Sequence, residues 1–122
     1  MAKILITGGS GLIGTNAVEY FKQQGYEVLN FDIRPPQNEA YTAIWRKGNI
    51  NDKEDYMQAT QEFAPDYFLH LAARTDLLET KDLYNGYATN IKGVENTIDV
   101  VNETPSVKRL LFASSRMVCR ID

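Results

Sequence analysis

The sequence predicts an α/β fold, a doubly wound parallel sheet with helices on both faces and strand order 3-2-1-4-5. Three observations carry this prediction. Five short apolar runs alternate with segments of helical periodicity, with no internal repeat and no low-complexity linker between them. Most runs place apolar residues at consecutive rather than alternating positions, as strands covered on both faces do. A glycine-rich turn joins the first run directly to the first helical segment. Right-handed crossovers then leave few topologies, and the first and fourth strands flank the point where the winding reverses, where a ligand belongs.

The elements follow in order. Lys3 to Thr7 is a β-branched and aliphatic run that Gly8-Gly9 ends abruptly. Leu12 to Gln24 is helical, with Ile13, Ala17, Tyr20 and Phe21 recurring at helical spacing, the aromatic Tyr20 and Phe21 read as core, and Gly25 as the stop. Tyr26 to Asp32 is the second strand. Consecutive prolines make Arg34-Pro35-Pro36-Gln37-Asn38 a loop. Ala43 to Lys47 is a short third strand. Asp52 caps a helix running to Phe63 that turns Tyr56, Met57, Ala59 and Phe63 toward the core. After the turn at Pro65-Asp66, Tyr67 to Ala72 is a very apolar fourth strand. Lys81 to Val101 is a long helix interrupted by Gly86 and Gly93 and ended by Thr104-Pro105-Ser106. Val107 to Ala113 is the fifth strand, apolar at both alternating positions.

Composition narrows the function. With 122 residues the chain has room for one domain. The net charge is −3 and the basic residues are scattered, which argues against a nucleic-acid surface. The single Cys119 forms no internal disulfide or thiolate cluster, and the single His70 lies inside an apolar run, so no zinc-type ligand set can be assembled. Cys119 has no second histidine to activate it as a nucleophile. No stretch approaches the roughly 20 apolar residues of a membrane span, and Met1 leads straight into the first strand without a cleavage-type segment. A cytoplasmic protein with neither nucleic-acid nor membrane partners is expected.

The strongest chemical signal is Thr7-Gly8-Gly9-Ser10-Gly11-Leu12-Ile13-Gly14, placed between strand and helix. Bare glycines let the backbone turn sharply and come close to a pyrophosphate. Free N–H groups at the helix N-terminus then face the anion, and Gly14 lets the helix pack tightly on the sheet. A tight strand–helix turn with no ligand is the plainer alternative. Asp32 ends the second strand at the spacing expected of the acid that accepts hydrogen bonds from an adenosine ribose and repels the extra phosphate of NADP. Its neighbours Ile33 and Arg34 flank that contact, and Arg34 could instead accommodate such a phosphate. A solvated strand-end acid is the plainer reading of Asp32. Together the glycines and the acid form a Rossmann-type dinucleotide fingerprint.

With these residues in view, the sequence resembles the extended short-chain dehydrogenase/reductase family, the NAD-dependent sugar epimerases and dehydratases. Gly8, Gly11 and Gly14 fit its glycine spacing. Its Gly-Asp-Ile-x-Asp segment corresponds to Gly48-Asn49-Ile50-Asn51-Asp52. The resemblance implies that Asn49, in place of the usual acid, bonds the adenine amino group and that Ile50 packs on the ring. The strand ending His70-Leu71-Ala72-Ala73 matches the apolar strand that ends in small residues, so Leu71, Ala72, Ala73 and Thr75 would line the ribose and pyrophosphate. Asn90 matches the asparagine of the family's long fourth helix, whose amide holds a proton path near the nicotinamide. Counting back from Val118 makes Ser115 the serine that bonds the reacting oxygen of the substrate. Cys119 and Arg120 depart from the family's Tyr and Gly, which weakens inference about the substrate more than about the class.

The family's reaction also needs a tyrosine general acid/base with a lysine four residues later. No tyrosine here has one: Tyr20 meets Gln24, Tyr84 meets Ala88 and Tyr87 meets Ile91. Residues 1–122 therefore read as the NAD(P)-binding domain, the N-terminal portion of a longer family member, inactive by itself. The resemblance implies NAD as cofactor and a parent enzyme, oxidoreductase or isomerase. That enzyme would move a hydride between a nucleotide-activated sugar and the nicotinamide, as a homodimer. A non-catalytic nucleotide-binding module or redox sensor of the same fold is the alternative, and an incompletely folded fragment that binds nothing is a third.

Overall fold

The computed structural model describes residues 1–72 and 88–113. The order of elements is β1 (Lys3–Thr7), α1 (Leu12–Gln23), β2 (Glu27–Asp32), a 3₁₀ turn (Glu39–Ile44), β3 (Trp45–Lys47), α2 (Lys53–Phe63), β4 (Tyr67–His70), α3 (Ala88–Asn102) and β5 (Arg109–Phe112). The strands form one sheet in the order β3-β2-β1-β4-β5, and every pairing is parallel. This is the expected Rossmann-type arrangement.

The register explains why β1 carries three consecutive apolar residues, Ile4, Leu5 and Ile6. Ile4 and Ile6 face α1 and pack with Val18 and Val28. Leu5 faces the opposite side and joins Phe31, Ile50, Tyr56, Ala59, Phe68 and Val100 under α2 and α3. A central parallel strand has no solvent face, so alternation disappears. In the α2 and α3 layer Tyr56 stacks on Phe31, with ring centroids 5.1 Å apart.

Helix α2 begins as its sequence predicts: the Asp52 carboxylate accepts a hydrogen bond from the Asp55 N–H at 3.3 Å. It ends at Ala64, whose φ of 50° is left-handed. Helix α1 differs from expectation in its buried face. Gly14 and Val18 meet the sheet, whereas Tyr20, expected in the core, is 56% exposed, on the side of the helix away from the sheet with Ile13. The cause is Gly14: a Cβ there would overlap the Gly8 carbonyl oxygen and lie 2.6 Å from Gly9 Cα. The helix rests on the turn at that position, and at about 100° per residue this rotates positions 13 and 20 outward. A hydropathy pattern cannot see a buried face that starts from a residue without a side chain.

Two smaller differences follow from hydrogen bonding. The segment before β3 folds into the 3₁₀ turn because the Asn38 side chain accepts from Ala40 N–H at 2.9 Å and the Thr42 hydroxyl donates to the Glu39 carbonyl at 2.8 Å. That shortens β3 to three residues. Residues 81–87 of the expected long helix lie outside the described residues, as do 114–122. Among the described residues, no helix is long and apolar enough to cross a membrane.

Candidate cofactor site

The C-terminal ends of β1, β2 and β4 meet at the switch point of the sheet, and the glycine turn lies between them. Each glycine of the turn answers a different constraint. Gly8 has a φ of +73°, and a Cβ on it would sit 2.7 Å from the Ala72 backbone nitrogen, so the turn lies directly against the end of β4. Gly14 is the contact of α1 with the turn. Gly11 is under no such pressure: a Cβ there would meet only the Gly8 carbonyl oxygen, at an ordinary 3.4 Å. Its φ of −80° suits any residue. The fold does not require a glycine at position 11.

Gly11 is also the N-cap of α1, and it has no side-chain cap hydrogen bond. The first N–H groups of an α-helix lack intrahelical partners, so the helix presents donors and the positive end of its dipole here. Leu12 and Ile13 follow on the exposed surface of the first turn.

Asp32 is 8% exposed yet sits at the rim of this turn. One carboxylate oxygen accepts from Ser10 N–H at 3.0 Å and the other from Arg34 N–H at 3.0 Å. Its backbone carbonyl accepts from the Trp45 indole at 2.9 Å and from Gly48 N–H at 3.1 Å. The strand end is therefore fixed in all directions, while each carboxylate oxygen keeps acceptor capacity. Ile33 and Arg34 are exposed beside it.

The bond from Gly48 brings the next predicted segment to the same edge. Asn49 is exposed, and its side-chain oxygen accepts from Asn51 N–H at 2.9 Å. Ile50 departs from expectation. It is 4% exposed, belongs to the core, and occupies the space that a Cβ on Gly93 of α3 would need. Its carbonyl accepts from the Asn96 amide at 2.8 Å. The side chain expected to pack on an adenine ring is thus committed to the interior, where it docks α3.

At the end of β4, Leu71 and Ala72 donate their N–H groups to the Thr7 hydroxyl at 3.1 and 3.2 Å. That hydroxyl lies 2.7 Å from His70 Nδ1. With two donors already on Thr7 Oγ1, its proton points to Nδ1, which makes His70 the neutral Nε2–H tautomer. Burial pushes the His70 pKa down to about 4. Behind it, Thr97 donates to the Gly93 carbonyl at 2.7 Å and takes the Tyr56 hydroxyl proton at 2.7 Å, and burial raises the Tyr56 pKa. One hydrogen bond thus ties the end of β1 to β4 and another ties α2 to α3, with the His70 ring and the Thr97 hydroxyl side by side between them. These ties were not anticipated beyond the packing of His70, because their members are far apart in sequence.

The structure thus brings Gly8, Gly11, Gly14, Asp32, Ile33, Arg34, Asn49, Leu71 and Ala72 to one edge of the sheet. Asn90 lies in the first turn of α3, and its side chain is outside what is described. Ala73, Thr75 and Ser115 lie outside the described residues. Ser10 and Asn30 join the site without a role in the sequence pattern, although an amide within the apolar run Val28 to Phe31 is a signal that the sequence carries.

An open backbone at Gly11, a helix N-terminus without a side-chain cap among the described residues and a carboxylate beside them suit a dinucleotide. Known proteins agree with that geometry. The chain is 29% identical to a 3-beta-hydroxysteroid dehydrogenase of Mycolicibacterium neoaurum, over 97% of this chain and 33% of that protein. It is 25% identical to a CDP-paratose 2-epimerase of Salmonella typhi, over 95% of this chain and 37% of that one. Among solved structures, UDP-glucose-4-epimerase from Stenotrophomonas maltophila, with bound NAD and formylated UDP-arabinopyranose, superposes with a TM-score of 0.83. It is 26% identical, over 97% of this chain and 38% of that one. The chain therefore spans little more than a third of the length of these relatives. A family model matches residues 4–119, nearly all of the sequence; the chain belongs to the NAD-dependent epimerase/dehydratase family.

Proposed function

We propose that residues 1–122 are the NAD-binding domain of a cytoplasmic, homodimeric epimerase or dehydratase that acts on a nucleotide-activated sugar. The observation that carries the cofactor part is the juxtaposition of the open Gly11 position with Asp32 at the sheet switch point. When bound, NAD supplies a hydride acceptor and donor at its nicotinamide ring. The N-terminus of α1 takes the pyrophosphate, and Leu12 and Ile13 lie alongside it. Asp32 accepts the adenosine ribose hydroxyls, with Ile33 and Arg34 at its rim. The Asn49 amide takes the adenine edge, and with the Ile50 side chain buried only its backbone remains for that contact. Leu71, Ala72, Ala73 and Thr75 let the other half of the cofactor approach the end of β4. Asn90 and Ser115 serve the nicotinamide end, where the Ser115 hydroxyl bonds the reacting oxygen of the substrate.

The names of the sugar-nucleotide relatives support the substrate class, and the hydroxysteroid dehydrogenase relative favours a steroid alcohol as the second reading. Neither Asn90 nor Ser115 titrates near neutral pH, and no tyrosine here has a lysine four positions on. General acid–base transfer, worth about 10²–10⁴-fold, is therefore not assigned to Asn90, Ser115 or a tyrosine of these residues.

The test is to purify the whole protein, identify any co-purified dinucleotide by mass spectrometry, and assay it with UDP-, CDP- and dTDP-sugars and with 3β-hydroxysteroids. Sugar conversion, with residues 1–122 alone binding NAD but turning nothing over, is the expected result. Steroid oxidation establishes the second reading. NAD binding without turnover of either class in the whole protein favours the sensor module of the same fold.

A further inference from the structure

We propose that Ser10 and Asn30 are positioning residues that hold the Asp32 carboxylate, and through it set the preference for NAD over NADP. The inference rests on reading Asp32 as the ribose acceptor. Ser10 lies in the middle of the glycine turn, is almost fully buried, and uses every polar atom it has on β2 or the loop after it. Its N–H goes to Asp32 and its hydroxyl donates to the Arg34 carbonyl at 2.8 Å. Its carbonyl accepts from the Gln37 amide at 3.2 Å and its hydroxyl oxygen accepts from Asn30 Nδ2 at 3.1 Å. The phosphate-facing turn and the ribose-facing loop are thereby one rigid piece.

Asn30 shows that this tie is built rather than incidental. It is 1% exposed, and its side-chain oxygen has no hydrogen-bond partner among the described residues. An orphaned buried carbonyl costs free energy that an apolar side chain of the same shape avoids. The amide orientation follows from Ser10: its proton is spent on Arg34, so only an N–H can meet its oxygen. Gly9 is shaped around this amide, since a Cβ there would come 2.5 Å from Asn30 Cγ. What Asn30 contributes is therefore one N–H to Ser10.

With both its oxygens held, Asp32 cannot swing away. It stays aligned for two ribose hydroxyls, and it stays in place against a 2′-phosphate. Loosening the tie weakens NAD and relieves the repulsion of NADP, so the ratio of the two affinities responds from both sides. That ratio, measured in one preparation, does not depend on the fraction of protein that is folded.

The experiment is a double-mutant cycle of Ser10→Ala and Asp32→Ala in the whole protein, with NAD and NADP titrated by calorimetry. Ser10→Ala keeps the backbone N–H that Asp32 accepts and removes the two hydroxyl bonds, to the Arg34 carbonyl and from the Asn30 amide, that fix where that N–H points. It should lower the NAD:NADP affinity ratio about 5- to 10-fold, the scale of one net hydrogen bond. In the Asp32→Ala background it should leave the ratio unchanged, because Ser10 acts through that carboxylate. Asn30→Leu, which keeps the shape and removes the N–H, should shift the ratio in the same direction. A ratio that Ser10→Ala does not move, or moves equally with and without Asp32, overturns the inference while leaving the reading of Asp32 intact. An Asp32→Ala variant with wild-type affinities overturns that reading, and the inference with it.

Discussion

Gly11 and Gly14 belong to the same turn, and replacing each by alanine should have opposite consequences. At position 14 the new Cβ overlaps the Gly8 carbonyl oxygen and lies 2.6 Å from Gly9 Cα and 2.8 Å from Gly8 C. Carbon atoms in contact sit at about 3.5–4.0 Å, so α1 must lift from the turn by roughly 1 Å. Forcing extra atoms into a packed site costs about 1–3 kcal/mol, and the better helix propensity of alanine returns up to about 1 kcal/mol. A backbone carbonyl oxygen is overlapped, so the packing cost lies at the upper end of its range, and Gly14→Ala should lose about 1–2 kcal/mol of stability. Because the lifted end of α1 also carries the phosphate-facing N–H groups, NAD binding should fall with it. At position 11 the Cβ meets one atom at 3.4 Å and the backbone is unstrained. The only structural cost is alanine as a poorer N-cap, up to about 1 kcal/mol. The methyl group, however, stands where the pyrophosphate must approach. Gly11→Ala should weaken NAD at least 10-fold, and Gly11→Val should abolish binding with circular dichroism near that of the parent. Urea unfolding and calorimetric titration of the same samples separate the two effects. Wild-type NAD affinity in Gly11→Val would show that the phosphates lie elsewhere. A fully stable Gly14→Ala would refute the packing argument.

Three other outcomes are expected. Asp32→Ala should weaken NAD by about 1.5–3 kcal/mol, the scale of hydrogen bonds to a charged group, in a calorimetric titration where unchanged affinity counts against the assignment. His70 binds a proton more readily unfolded, at its ordinary 6.5, than folded, at about 4. Its contribution is thus complete above about pH 6.5 and is lost as the pH falls toward 4, at about 1.4 kcal/mol per unit and on the order of 3 kcal/mol in all. Urea midpoints between pH 6.5 and 5 should show this slope, and His70→Gln should flatten it. Finally, β5 pairs only with β4 among the described residues, and Leu111 and Phe112 on it are exposed. Residues 1–122 expressed alone should self-associate with rising concentration, as an open apolar edge does. Leu111→Lys should reduce this in light scattering, and a strictly monomeric parent polypeptide would count against it.

The sheet was legible because its signals are local. Apolar runs, a turn of glycines and the handedness of crossovers suffice to order five strands, and the spacing from Gly8 to Asp32 suffices to place an acid beside the turn. What tertiary structure alone decided is how those parts are held. Helical spacing put Tyr20 in the core, but the contact of Gly14 with the turn rotates the helix and leaves it exposed. Family spacing put Ile50 on a ligand, but the bare surface of Gly93, forty-three residues away, draws its side chain inside. Which glycine the fold needs and which it can spare is equally invisible in a motif, because the answer depends on what a Cβ would touch. The bonds of Ser10, the Thr7–His70 bond and the Tyr56–Thr97 bond join residues that only chain crossing brings within 3 Å or so of one another. Hydrogen bonds of this kind leave no periodicity in a sequence, since each needs one donor and one acceptor at a place that the packed elements, and not the chain's local preferences, define.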